Sequence, residues 1–596
     1  MQKLKQLLRN AARLNKIAWE HKKSFVLFTV IFCSVAAAVP YLSSGVNALL
    51  INYLTANFGL GVFDQTLILL ALGAAVLRFV PDIIASVIAW MDKRIWIDLG
   101  QVFKLMFIKK KGELDIQTYE NPQFQDILNK AEDRGTWPTV NFLSTQYQSI
   151  GSIVSVVLGL GILLFYDWRI CLLTIIAIIP QFIVEIKYND DTWGIWSADT
   201  VTRRRYGHIN DHFEQKNWLI ELKLFQNIKL FYNKIEGILT AFNNKQKVVE
   251  RKKLFLEIAS SLISGGIIAV VTFWIIYRVV KGEIEIGTML FIITSISQLQ
   301  SSLISFLSRL ARLHEYDLYV SDIFKIIDTK LALPRPKHAI ILDGTTPEIV
   351  FENVSFSYPQ TTNLTLEHIS LTIKRGEKFA LVGENGAGKT TFVKLLCRIY
   401  DPTEGRILIN GYDLRNIDLD SWYKTLGILF QEYAPYKFEV AEAISFGRSD
   451  EAFDLERVKV AAKASESESF ILGWPGQYNQ MLGAEFDKGL DPSKGQQQRL
   501  AIARLLHRKA GLLILDEPTA SIDAEAEAKI FDQIEKETVG QTVILISHKY
   551  STVKNANRIC VFKGKSVHEI GSHEELMKKD GTYAKLFKEQ AEGYAF

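Results

Sequence analysis

The segment Gly383-Glu384-Asn385-Gly386-Ala387-Gly388-Lys389-Thr390 fits the pattern G-x-x-x-x-G-K-[ST] and runs on into Thr391. Small residues let backbone N–H groups come close to a phosphate chain, and the N-terminus of a following helix adds positive potential. Lys389 is placed to neutralise the β- and γ-phosphates of a nucleotide, and Thr390 to put its hydroxyl on Mg²⁺. A second acidic site, Asp516–Glu517, ends the apolar run Leu512-Leu513-Ile514-Leu515. Asp516 is expected to reach Mg²⁺ through water, and Glu517 to accept a proton from an attacking water or to orient it.

These groups need an α/β scaffold to hold them. The run KFALVG leads as a strand into the glycine-rich turn, and Thr391 to Arg398 reads as the helix behind it. EIVFENVSFSY, LLILDE and VILISH are further β-rich runs that alternate with helical ones, the pattern of an α/β domain. An apolar strand that ends in two acids presents them at the carboxyl edge of its sheet, where open α/β sheets bind ligands. Pro334-Arg335-Pro336, Asp343–Gly344 and Pro347 mark a linker over 331–347, which leaves 348–596 as the nucleotide-binding domain.

The N-terminal half has a different composition. The whole chain of 596 residues is 48% hydrophobic and 22% charged, too apolar for disorder and too charged for a wholly embedded protein. No charged side chain occurs from Ser24 to Phe63, longer than the ~20 residues a spanning helix needs and longer than a cleaved signal's apolar core. Further apolar runs cover Gln65–Trp90, Thr139–Tyr166, Ile170–Ile186, Ile258–Tyr277 and Ile286–Leu307. The sequence therefore predicts a membrane domain over 24–330 with six spans. Basic residues cluster before the first span, between the second and third (Lys93, Arg94, Lys109 to Lys111) and between the fourth and fifth (Arg203 to Arg205, Arg251 to Lys253). The positive-inside rule puts both termini and both long loops in the cytoplasm. In residues 3–19, Leu4, Leu7, Leu8, Ala11, Leu14 and Ala18 share one helical face. Residues 1–23 are expected to form an interfacial helix on the inner leaflet, with docking on protein as the alternative.

The net charge of +4 gives no argument for a nucleic-acid partner. Cys33, Cys171, Cys397 and Cys560 lie far apart, so neither a zinc site nor a disulfide framework is expected.

With these motifs in order, the soluble half resembles the nucleotide-binding domain of ATP-binding-cassette (ABC) transporters. The whole chain is similar to a bacterial exporter half-transporter: a membrane all-α domain of six helices fused to an α/β P-loop NTPase domain. YENPQFQDILNKA, residues 119–131, is similar to that family's first cytoplasmic coupling region. The resemblance implies further roles. Tyr358 would stack on adenine, with a place in the sheet core as the alternative. Gln431 would bridge Mg²⁺ and the membrane half, Asp523 would communicate across a dimer, and His548 would hold the γ-phosphate.

The family signature LSGGQ is altered to Pro492-Ser493-Lys494-Gly495-Gln496. Ser493, Gly495 and Gln496 remain to meet a γ-phosphate, and Pro492 is expected in the first turn of a helix. Lys494 replaces a glycine, and crowding there is expected to slow the site without stopping it. The resemblance also implies a head-to-tail dimer with two ATP molecules at its interface, a homodimer being favoured over a heterodimer because Glu517 and His548 are both present. It implies an ATP-driven exporter or flippase of the bacterial inner membrane, with Mg²⁺ and ATP as cofactors. Lipid, lipid-linked sugar, peptide and drug all remain open as cargo, and an ATP-regulated channel or regulator is the alternative function. In the sixth span Thr294, Gln298, Ser301, Ser305 and Arg309 recur at helical spacing; the stripe either lines the path or bonds a neighbouring helix. Arg78 and Asp82 in the second span form either a self-neutralising pair or contacts to a polar cargo. The first span begins at Ser24, so an N-terminal peptidase domain is not expected.

Overall fold

The computed structural model describes all residues except 1, 60, 62, 198, 199, 360, 362, 519–523, 548 and 594–596. The chain divides into two compact units, Met1–Glu113 with Gln125–Thr329 and Leu114–Phe124 with Lys330–Phe596.

The first unit is helical. Its long helices are Gln2–Ala56, Gln65–Glu113, Trp137–Tyr166, Trp168–Ser197, Ile228–Val280 and Ile286–Asp328. Among the described residues five are long and apolar enough to cross a membrane, and the fourth helix contributes the shorter apolar stretch Trp168–Val184. The 49 residues of the second helix cover about 73 Å, against a hydrocarbon core of about 30 Å, so this helix extends past a bilayer. Leu69, Leu72, Val76, Phe79 and Ile83 are all exposed on it, as a lipid-facing surface requires.

Small residues bring these helices together. A Cβ on Gly159 would stand 2.6 Å from the Tyr41 hydroxyl, and one on Gly151 would stand 2.8 Å from the Cys33 carbonyl oxygen. Tyr41 donates to the Ser155 carbonyl at 2.9 Å, which ties the first helix to the third.

The structure modifies two sequence expectations in this unit. The N-terminal segment is divided from the first span at Lys22, whose φ of −145° is not helical. Its apolar face is shared between two surroundings. Leu14 and Ala18 are fully buried in a cluster with Ile95, Leu99, Val140, Leu143 and Phe324, while Leu4 and Leu8 stay exposed. Asn10 donates to Asp317 and Ser321, both at 2.8 Å, and Arg13 pairs with Asp328. Those polar anchors hold the segment's second half on protein. Arg78 and Asp82 make no ion pair among the described residues, and both are exposed. Their order puts the cation N-terminal to the acid, the weaker arrangement at i,i+4.

The second unit is α/β. A four-stranded antiparallel sheet has the order Leu366–Ile373, Ile349–Phe356, Glu404–Ile409, Tyr412–Asp413. A six-stranded sheet has the order Ser566–Gly571, Arg558–Lys563, Lys378–Gly383, Thr542–Ile546, Leu512–Asp516, Leu426–Leu429, parallel except for its first strand. Every residue of Leu512–Asp516 and of Thr542–Ile546 is buried. Both faces of a parallel sheet are covered, which is why these strands are apolar in sequence apart from Asp516 and Thr542. Helix Lys389–Leu396 lies against the core: Phe392 stacks on Phe351 with centroids 4.2 Å apart and meets Phe562 edge-on. A helical cluster around Val440, Ile444, Val458, Leu500 and Ala503 completes the unit. All four cysteines are free and buried.

Candidate nucleotide-hydrolysing site

The register of the parallel sheet assembles the site. Leu381 and Asp516 both pair with Ile546, so the strands carrying Gly383 and Asp516 end at the same edge on either side of Thr542–Ile546. The glycine-rich turn follows the first of them. Gly386 (φ 80°) and Gly388 (φ 100°) take backbone angles that a side chain would strain, and Gly388 is the N-cap of helix Lys389–Leu396. Glu384, Asn385 and Thr390 are exposed at this mouth, while Ala387, Lys389 and Thr391 are buried. Lys389 Nζ donates to the carbonyls of Gly383 (2.7 Å) and Glu384 (3.0 Å), clasping the turn around its own cation. Burial lowers the Lys389 pKa, and Glu517 and Asp516 oppose that fall.

Asp516 is buried at the same edge, on the other side of strand Thr542–Ile546. Burial pushes its carboxyl up to about 6, with Glu517 adding to the rise and Lys389 opposing it. Glu517 then turns the chain sharply: its φ is 49°, in the left-handed region, and its N–H donates to the Ile546 carbonyl at 2.9 Å. Gln431 Nε2 donates to Glu517 Oε2 at 2.8 Å. The structure thus brings together Lys389, Asp516, Glu517 and Gln431. Asp523 and His548 lie outside the described residues. Gln498, which sequence reading passed over, donates to the Glu517 carbonyl at 3.4 Å; the glutamine run at residues 496–498 was the available signal.

The raised Asp516 value has a stability consequence. Below pH 3.8 the group is protonated both folded and unfolded. As pH climbs to about 6 the unfolded chain ionises first, so the stability it contributes is lost across that window. At pH 7 the cost is on the order of 3 kcal/mol. Asp516→Asn is therefore expected to raise the melting temperature of the nucleotide-free protein by a few degrees at pH 7, with the gain shrinking as pH falls toward 4. Thermal unfolding of both proteins across that range checks it, and a lower midpoint for the variant at pH 7 would contradict it.

Tyr358 is half-buried, and its hydroxyl shares a hydrogen bond with Thr391 Oγ1 at 3.0 Å. Its ring meets Tyr400 edge-on at 5.4 Å, and Lys394 Nζ stands 5.5 Å above it. Tyr400 donates to Glu120, which also pairs with Lys394 at 3.6 Å. The loop segment Leu114–Phe124 therefore touches the aromatic corner beside the glycine-rich turn. Sequence reading did not anticipate the part of Tyr400, Lys394 and Glu120, because no spacing rule links them.

The altered signature begins helix Lys494–Arg508. Ser493 is its N-cap, and Ser493 and Gln496 form a reciprocal capping box: Gln496 N–H donates to Ser493 Oγ at 3.3 Å and Ser493 N–H to Gln496 Oε1 at 2.9 Å. Pro492 therefore precedes the helix instead of occupying its first turn, as the sequence had suggested, because the serine side chain is the better cap. Lys494 is exposed at the first helical position, and Gly495 follows it.

The profile of the ABC transporter family matches residues 366–520. An ATP-dependent lipid A-core flippase of Methylobacillus flagellatus is 31% identical over 73% of this chain and 72% of its own length. The subtilin transport ATP-binding protein of Bacillus subtilis is 27% identical over 99% of this chain and 96% of its own. A solved bacterial Atm1-family ABC exporter with ATP bound shares the fold, with a TM-score of 0.78 over 96% of this chain and 98% of that one at 24% identity. The glycine-rich turn, the paired acids and the fused apolar helices thus belong to one known design: this chain is a member of the ABC transporter family, an ATP-binding exporter whose ATP hydrolysis is coupled to transport across a membrane.

Proposed function

We propose that two copies of this chain form a head-to-tail homodimer in the bacterial inner membrane, with both termini and the nucleotide-binding domains in the cytoplasm. In this reading residues 24–330 are the membrane domain, 331–347 the linker and 348–596 the cassette. Gly383 to Thr391 cradle the phosphates, Lys389 supplies the cation and Tyr358 stacks on adenine. Ser493, Gly495 and Gln496 reach the γ-phosphate of ATP held by the partner chain, with Asp523 signalling across the interface. Asp516, Thr390 and Gln431 suit Mg²⁺: a buried carboxylate with a raised pKa beside a second acid gains from a divalent cation, and the other two offer oxygen ligands. Mg²⁺ would neutralise charge on the phosphates. Glu517 takes the proton of the attacking water, and His548 positions the γ-phosphate.

The observation that carries this reading is Glu517 held by Gln431 at 2.8 Å next to buried Asp516. A merely regulatory cassette has no need of a fixed proton acceptor at that point. The cargo is amphipathic (lipid, lipid-linked sugar, peptide or drug), a range that includes the subtilin and lipid A core for which the two relatives are named. Full-length protein reconstituted in liposomes is expected to move a fluorescent amphiphile across the bilayer only with hydrolysable ATP. An ATP-gated ion current without such movement would overturn the exporter reading.

A further inference from the structure

A cavity of about 340 Å³ opens within the helical unit, lined in part by Gln148, Ser152, Gln298, Ser301, Ser305 and Arg309. Four of the five polar residues in the sixth-helix stripe therefore share one cavity. Thr294 is outside it and bonds the carbonyl of Leu290 on its own helix at 2.9 Å. The volume falls within the range of small-molecule sites. Ala36, Ala37, Pro40 and Ile88 add an apolar wall.

Arg309 is the cation of this cavity. It is half-buried, and its Nη1 donates to the Gln148 carbonyl at 2.9 Å and to Ser152 Oγ. No carboxylate among the described residues lies within ion-pair distance of it. Asp92 is close enough for its field to be felt, but its carboxylate accepts from Ser144 Oγ at 2.8 Å and Gln148 Nε2 at 2.7 Å. Arg309 Nε and Nη2 make no hydrogen bond among the described residues, and neither is a fully buried unsatisfied atom. Two donors of the guanidinium fork thus remain accessible. Arginine at the end of an apolar span is costly unless it lies against water or a partner, and its planar fork matches the two oxygens of a carboxylate or phosphate.

We propose that this cavity binds the anionic head of an amphiphile, a carboxylate or phosphate, through Arg309, with the serine and glutamine side chains completing its hydrogen bonds and the apolar wall receiving the first part of its tail. This rests on the exporter reading and narrows its cargo to anionic amphiphiles. Gln148 and Ser152 hold Nη1, which fixes one arm of the fork at the cavity wall.

The test is equilibrium binding of dodecyl phosphate to the full-length protein in phosphatidylcholine nanodiscs, beside dodecanoate, dodecanol and dodecyltrimethylammonium. Both anions are expected to bind at least tenfold more tightly than the alcohol and the cation. Arg309→Gln should remove that preference, and Arg309→Lys should keep part of it. Nanodiscs containing phosphatidylglycerol separate the sources: competition with dodecyl phosphate would assign the site to a bilayer lipid headgroup, and its absence to a cargo arriving from outside the bilayer. Equal binding of the four probes to the parent protein would overturn the inference without recourse to a variant, as would an anion preference that survives Arg309→Gln. ATP hydrolysis by the same preparations is read separately, so a parent protein that hydrolyses ATP but shows no anion preference would refute this inference and leave the export reading standing.

Discussion

Glu517→Gln is expected to lower ATP hydrolysis by about 10²–10⁴-fold, the usual worth of a positioned proton acceptor, with ATP affinity changed little. The reason lies in how the residue is held. Its backbone sits at φ 49° with the N–H on the Ile546 carbonyl, and Gln498 donates to its carbonyl. None of these contacts depends on the carboxylate. The side-chain contact from Gln431 to Oε2 at 2.8 Å can be made equally to an amide oxygen. The substitution thus keeps size, turn and hydrogen bond and removes only the ability to take a proton. ATP binding rests on the glycine-rich turn and Lys389, which the change leaves in place. Turnover and nucleotide binding measured on the same preparation test this; turnover equal to the parent's would remove Glu517 from the chemistry.

The parts of this site that could be read from the sequence are those set by short-range rules. A strand, a glycine-rich turn and a helix are local, so Gly383 to Thr391 could be placed from spacing alone, and a uniformly apolar strand ending in Asp516 pointed to the carboxyl edge of a parallel sheet. The left-handed turn at Glu517 could not be anticipated in the same way. Glutamate seldom takes that conformation, and it is held here by the Ile546 carbonyl of a neighbouring strand about thirty residues away in the chain. The capping box at Ser493 and Gln496 is legible in principle, since the spacing S-x-x-Q is its signature, but the same residues overlap the altered family signature, in which Pro492 suits the first turn of a helix. The contact of Glu120 with Tyr400 and Lys394 joins positions nearly three hundred residues apart, and periodicity carries no information at that range. The membrane half divides similarly: apolar length announced the spans, whereas burial of Leu14 and Ala18 depends on which helices meet them.

Lys389→Ala is expected to weaken ATP binding by about two orders of magnitude. Truncating one partner of a desolvated charge pair typically costs about 2–5 kcal/mol, or roughly 30-fold to several thousand-fold in affinity. The Lys389 side chain is only 6% exposed and its ammonium clasps two carbonyls of the turn, so alanine removes both the countercharge for the phosphates and a brace for the loop that holds them. It also takes the nearby cation from Asp516 and Glu517, whose negative field would then repel a polyphosphate. Arginine should not restore affinity, because a planar fork does not fit the buried space of a compact ammonium. The two contributions separate by ligand charge. If lost countercharge dominates, the penalty should be greatest for ATP, smaller for ADP and near zero for adenosine, and it should lessen as ionic strength rises. Titrating the three ligands against full-length parent and variant gives the comparison. An equal loss for all three would mean that the turn had collapsed, and that Lys389 acts here as a brace for the loop more than as a cation for the phosphates.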